Sequence, residues 1–245
     1  MIPAPVLLVV FALQGWSESG HWKNSLLVEV LENIPGVKVV VVDYLDGKGK
    51  LAQFHSHLKA EEYALIAEKF YQQARDDYPN AQILVVGHSL GGIIARILCR
   101  KGLFPSKDMV LVGTPNNGIT YKMFGGKIIG LVVFPLLWIL SAKRACNVPV
   151  FRDLLRGSDF LLLLNRAGIP QDAHYIIGLK DKYVEPWSSD PWGVGQSVNG
   201  DHHLFPLNGK SLNDLSTKEC ALFENSAIPA VMDIVSERLA KIKRQ

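Results

Sequence analysis

The sequence predicts an α/β fold built on a mostly parallel sheet with helices on both faces, and three observations predict it. Short apolar runs rich in β-branched residues recur along the chain, as strands buried on both faces require. Segments of helical period separate them, the alternation that makes neighbouring strands parallel. One passage joins the two, residues 83–100, I-L-V-V-G-H-S-L-G-G-I-I-A-R-I-L-C-R, a strand running through a glycine-flanked serine straight into a helix.

Taken in order, 6–10 reads as the first strand and 11–16 as the loop after it. A helix is expected over 22–32, stopped by Pro35 and Gly36. The β-branched run 37–42 ends at Asp43 and reads as a buried strand. Residues 61–74 place Tyr63, Ile66, Ala67, Phe70 and Ala74 on one helical face, and Pro79 and Asn80 then turn the chain. After the strand 83–86, Ile93, Ile94, Ile97 and Leu98 line one face of a helix. Residues 109–112 and 175–178 supply further strands, and 228–242 closes the chain as an amphipathic helix. The apolar N-terminal run has no basic residue before it and no small-residue cleavage site after it, so it reads as a core strand rather than a secretion signal. Residues 1–245 are expected to form one domain.

Composition excludes several classes of function. Hydrophobic residues make up 48% and charged residues 20%, an ordinary globular balance. A net charge of +3 without a basic stripe argues against a nucleic acid partner. The three cysteines, Cys99, Cys146 and Cys220, are odd in number and unpatterned, which argues against a disulfide framework and for a reducing, cytoplasmic setting. No cysteine or histidine pair has metal-ligand spacing, so no metal and no cofactor are expected.

Residues 121–165 break the rhythm. Between Ile128 and Leu140 the chain reads I-I-G-L-V-V-F-P-L-L-W-I-L, with Lys122 and Lys127 before it and Lys143 and Arg144 after. This run is too short to span a bilayer, and Pro135 interrupts it. It lies between the strand after the elbow and the strand expected to carry an acid. That place predicts a lid inserted over the site, its apolar side meeting acyl chains or the periphery of a membrane. A buried core helix is the alternative reading.

The chemistry centres on Gly87-His88-Ser89-Leu90-Gly91. Glycines two residues before and after the serine permit a turn so tight that the Ser89 hydroxyl rises above the sheet edge. The helix behind it aims its first amides at the same spot, favouring negative charge there. A serine hydroxyl needs a base within hydrogen-bond reach, and the base needs a carboxylate to hold its tautomer. On a strand–turn–helix nucleophile the chain order is serine, acid, histidine. Asp181 follows the strand 175–178 at its carboxyl end, where α/β sites are built, with Glu185 and Asp190 as fallback acids. His202 and His203 lie ahead of the final helix, where the base belongs. Chain order does not separate them, and His203 is the first choice. His174 precedes the acid, and His88 reads as a packing residue in the elbow.

G-H-S-L-G-G-I-I-A-R, L-V-G-T-P-N-N-G, L-R-G-S-D-F-L-L-L-L-N, I-I-G-L-K-D-K-Y-V-E-P and H-L-F, in that order, resemble the α/β-hydrolase superfamily. Within it the chain is similar to the triacylglycerol lipase and esterase branch, which shares G-T-P-H-x-G and P-G-S-x-F-L. The resemblance covers nearly the whole chain and implies the α/β-hydrolase fold. It implies Ser89, Asp181 and His203 as a triad, His202 as the alternative base, and the backbone N–H groups of Leu13 and Leu90 as the oxyanion hole. The implied activity is hydrolysis of carboxylic esters of lipids or other acyl groups through an acyl-enzyme. An acyltransferase on the same triad is one alternative, and a lipid- or protein-binding module that lost a working oxyanion hole is another. Two departures stand out. Phe11-Ala12 is read in the place where such lipases carry His-Gly, and Asn116-Asn117 replaces the histidine and variable residue of the second signature.

Overall fold

Alternate residues of a strand face opposite sides of a sheet, so a run that is apolar throughout must be covered twice. The computed structural model, which describes residues 5–16, 25–44, 58–119, 148–179, 181, 184–199 and 224–245, builds this arrangement. Six strands are described: β1 (Leu8–Leu13), β2 (Val37–Val41), β3 (Gln82–His88), β4 (Met109–Val112), β5 (His174–Gly178) and β6 (Gln196–Val198). They form one sheet in the order β2-β1-β3-β4-β5-β6, and every neighbouring pair is parallel.

Parallel neighbours need crossovers, and the helices between strands supply them. These are α1 (Leu26–Glu32), α2 (Ala60–Asp77), α3 (Leu90–Arg100), α4 (Pro149–Leu154), α5 (Asp159–Arg166) and α6 (Pro186–Ser189), and α7 (Ile228–Ile242) follows the last described strand. One face of the sheet presents Val9, Phe11, Leu13, Ile83, Val85, Met109, Leu111 and Tyr175 to α2, α3, α4 and α5. The other presents Leu8, Val10, Ala12, Leu84, Val86, Val110, Val112 and Ile176 to α1 and α7. The odd–even split holds in every one of these strands, and it is the physical content of the near-continuous apolar runs. Among the described residues no helix is long and apolar enough to cross a membrane.

Several boundaries shift by a residue or more from the sequence reading, and two of the shifts have a clear physical cause. Strand β1 starts at Leu8 rather than 6 and runs on to Leu13, because Phe11, Ala12 and Leu13 are fully buried, the first two pairing with both β2 and β3 and Leu13 with β3. The apolar run ends only at Gln14-Gly15, and the strand ends with it. Helix α1 starts at Leu26 rather than 22, because Ser25 is extended and its Oγ accepts the Val28 N–H, capping the first turn. Short elements without a periodic signature, α4, α5, α6 and β6, had no counterpart in the reading. Of the expected lid 121–165, residues 121–147 lie outside the described residues. The described remainder forms α4 and α5, whose Val150, Phe151, Leu154, Leu161 and Leu164 join the core on the α3 side.

Candidate active site

Strand β3 delivers the serine. Gly87 is level with Leu13 of β1 and with Leu111 of β4, and Ser89 follows as the first residue past the strand. Its φ of 50° and ψ of −117° lie where side chains rarely go, and Ser89 is the only non-glycine with positive φ among the described residues. Two hydrogen bonds hold that conformation: the Ser89 N–H donates to the Val112 carbonyl at 2.9 Å, and its carbonyl accepts the Gly92 N–H at 3.0 Å. The Ser89 side chain makes no capping bond to α3, so the hydroxyl is not spent on its own helix. The Leu90 N–H, first of the helix, has no acceptor among the described residues.

Close backbone approach fixes what surrounds the turn. A Cβ on Gly91 would lie 1.9 Å from the Leu13 carbonyl oxygen and 2.9 Å from that of Gln14. A Cβ on Gly92 would lie 1.8 Å from Thr114 Oγ1. Helix α3 is therefore pressed backbone to backbone against the end of β1 on one side, and against the Thr114 side chain of the loop after β4 on the other.

This geometry moves the first loop. The register of β1 with β3, together with the Gln82 N–H bonded to the Leu7 carbonyl, directs odd residues of β1 toward β3. The Leu13 N–H thereby falls on the Val86 carbonyl within the ladder, and it has no hydrogen to offer an oxyanion. The expected donor at Leu13 is the last residue of β1, and the turn Gln14-Gly15-Trp16 follows it. Phe11-Ala12, read as part of the loop, lies within β1. The missed signal was the polar-glycine pair that ends the apolar run. Gln14 is wholly buried, and its Nε2 donates to the Val42 carbonyl at 3.0 Å, tying the turn to the end of β2.

Asp181 stands three residues past β5, the second strand over from β3, so the two strand ends are about 10 Å apart on one edge of the sheet. Its N–H donates to the Gly178 carbonyl at 3.2 Å, and its Oδ1 accepts the Val184 N–H at 3.0 Å. The fallback acids are engaged elsewhere. Glu185 accepts the Trp187 indole N–H at 2.8 Å, while Asp190 accepts backbone N–H groups of Trp192, Val194 and Gly195. His202 and His203 lie outside the described residues. His88 is buried beside the elbow. His174 opens β5 at the far edge of the sheet from Ser89, and burial and the nearby Arg238 hold its imidazole below the usual range.

A polar knot that the sequence reading did not find links these parts. Arg96 of α3 is almost fully buried, and burial pushes its guanidinium down to about 10. Its Nη1 donates to Asn116 Oδ1 at 3.2 Å and its Nη2 to Asn165 Oδ1 at 2.7 Å. Asn116 in turn donates from its backbone N–H to the Ser188 carbonyl at 3.0 Å and from Nδ2 to the Ser189 carbonyl at 3.0 Å. Among the described residues no three histidine, cysteine or acidic side chains are grouped as metal ligands are.

No family model matches the chain, and no curated protein matches it by sequence. Solved structures do match. The metagenome-derived lipolytic enzymes LipS and LipT overlap with 99% of this chain and 96% of theirs, at TM-score 0.55 and 11% identity. A thermostable carboxyl esterase from Bacillus coagulans, in complex with glycerol, overlaps with 96% of this chain and 92% of its own, at TM-score 0.53 and 16% identity. The chain has the α/β-hydrolase fold. Phospholipase PlaB from Legionella pneumophila matches 71% of this chain at TM-score 0.44 and 17% identity, and the chain spans 38% of that protein's length. In that fold a strand–turn–helix of this kind is where a nucleophile elbow sits.

Proposed function

We propose that the chain is a serine hydrolase that cleaves carboxylic esters, with lipid or other acyl esters as its substrates. One observation carries this reading: Ser89 holds a positive φ at the head of a helix whose first amide is open. Backbone strain of this kind costs about 1–3 kcal/mol and persists where the surroundings impose it, most often at functional sites. The shared fold with a carboxyl esterase and with lipolytic enzymes is in keeping with the reading.

In the proposed reaction Ser89 Oγ attacks the ester carbonyl carbon while His203, or His202 in its place, takes the Oγ proton. The bond from that carbon to the alcohol oxygen breaks, and the alcohol leaves with the proton held by the histidine. Water then attacks the acyl-enzyme, gives its proton to the same imidazole, and releases the carboxylic acid and free Ser89. Asp181 orients the imidazole and stabilises its charged form. The amides of Leu90 and of the Gln14-Gly15-Trp16 turn hold the oxyanion, each such donor being worth about 3–4 kcal/mol. Within the expected lid, 121–165, the run 128–140 is the proposed contact with acyl chains or a membrane surface.

The test is hydrolysis of p-nitrophenyl esters of increasing acyl length. Turnover is expected to rise toward medium and long chains and to vanish in Ser89→Ala. Asp181→Asn is expected to lower kcat by about 10⁴-fold, the loss seen when a triad's carboxylate becomes an amide. His203→Ala and His202→Ala identify the base, since one of them abolishes turnover and the other leaves most of it. Ester hydrolysis that survives Ser89→Ala contradicts the reading.

A further inference from the structure

The Asp181 loop leaves β5 and must return to the sheet at β6, and its path is set by what grips it on the way. The grip comes from the loop after β4. Asn116 holds the Ser188 and Ser189 carbonyls, the Asn117 N–H donates to Ser188 Oγ at 3.2 Å, and Ser188 Oγ donates to the Gly118 carbonyl at 2.7 Å. Ser188 and Ser189 are buried, so these bonds are shielded from water and cannot be exchanged for it. The end of β4 and the loop after it also grip the serine and its helix: Val112 accepts the Ser89 N–H, Thr114 abuts Gly92, and Asn116 receives Arg96 from α3.

A continuous path of bonds therefore runs from the serine's helix through Arg96 and Asn116 to α6, and from Val184 just ahead of α6 to the Asp181 carboxylate. The guanidinium's planar fork presents two nitrogens at once, one bonding Asn116 and the other Asn165. We propose that Arg96 and Asn116 are positioning residues that set the Asp181 carboxylate relative to Ser89. This rests on the reading of Ser89 as nucleophile and Asp181 as acid.

The experiment compares Asn116→Ala and Arg96→Met with a control of similar chemical cost elsewhere on α2, Tyr71→Phe, which removes a hydrogen bond to the Leu103 carbonyl. Folded fraction is measured by circular dichroism, and kcat and KM are taken on one short ester across pH. Both variants are expected to lower kcat about 10- to 100-fold with KM little changed, as misplaced catalytic groups do. The acid limb of kcat/KM is expected to move to lower pH, because an imidazole that loses its carboxylate partner binds its proton less tightly. Tyr71→Phe is expected to lower the melting temperature and leave the limb in place. Should Asn116→Ala fail to fold, Asn116→Asp keeps the acceptor for Arg96, removes the donor to Ser189, and is expected to lower kcat in the same range.

A limb that stays put while only the folded fraction falls overturns the proposal. Asp181→Asn is run in parallel: full activity in that variant means that the acid has been misassigned, a failure distinct from an inert clamp beside an essential Asp181.

Discussion

The serine and the acid stand two strands apart on one edge of the sheet, and different forces hold them. Around Ser89 the restraint is steric: Gly91 lies on the Leu13 carbonyl, Gly92 on Thr114, and the backbone of the serine itself is strained. Around Asp181 the restraint is polar: Asn116 and Asn117 donate to the loop's one short helix, and Ser188 of that helix donates back to the Gly118 carbonyl. A steric seat tolerates no added atom but needs no particular side-chain chemistry. A polar seat tolerates small changes of shape but depends on each donor and acceptor.

The largest effect should follow from breaking the steric side. Gly91→Ala puts a methyl group into the Leu13 backbone, which has no flexible end to move aside, so a destabilisation of about 4–5 kcal/mol or outright misfolding is expected in a denaturant titration. On the polar side Ser188→Ala leaves the Asn117 N–H and the Gly118 carbonyl without the buried hydroxyl they share. A loss of about 1–3 kcal/mol is expected, with the fold retained.

Smaller and opposite in sign is Ser89→Gly. Glycine adopts the φ of 50° without penalty, so relief of strain should outweigh its extra unfolded-state entropy and raise stability by about 1 kcal/mol while ending catalysis. A fall in melting temperature would mean that the elbow is not strained. The smallest effect sharpens the contrast away from the site. Asp153 of α4 accepts the Ala60 N–H at 2.9 Å, yet burial raises its carboxyl above the usual range. A raised carboxyl holds its proton more tightly folded than unfolded, so its contribution to stability grows as pH falls through the folded value. Asp153→Asn is expected to remove that slope in melts between pH 4 and 7 and to cost little at neutral pH.

Steric and polar seats also differed in how far the sequence revealed them. The buried runs in β1 to β5 and the glycines around Ser89 are local patterns, and strand, elbow and helix could be read from adjacent residues. The end of β1 was misjudged because Phe11 and Ala12 are not β-branched, although both are fully buried. Arg96, Asn116, Asn165 and Ser188 were illegible as a group. Their bonds join positions 20 to 73 residues apart, and no periodicity announces a contact of that kind. The departure at Asn116 was noticed as a mismatch to a signature, and its role emerged only with its partners.

Reaction with a fluorophosphonate, followed by peptide mapping, tests the central claim most directly. The account predicts a single adduct on Ser89, absent from Ser89→Ala and formed far more slowly in Asp181→Asn. A folded protein that takes no label at Ser89, or that labels equally fast without the Asp181 carboxylate, would contradict it.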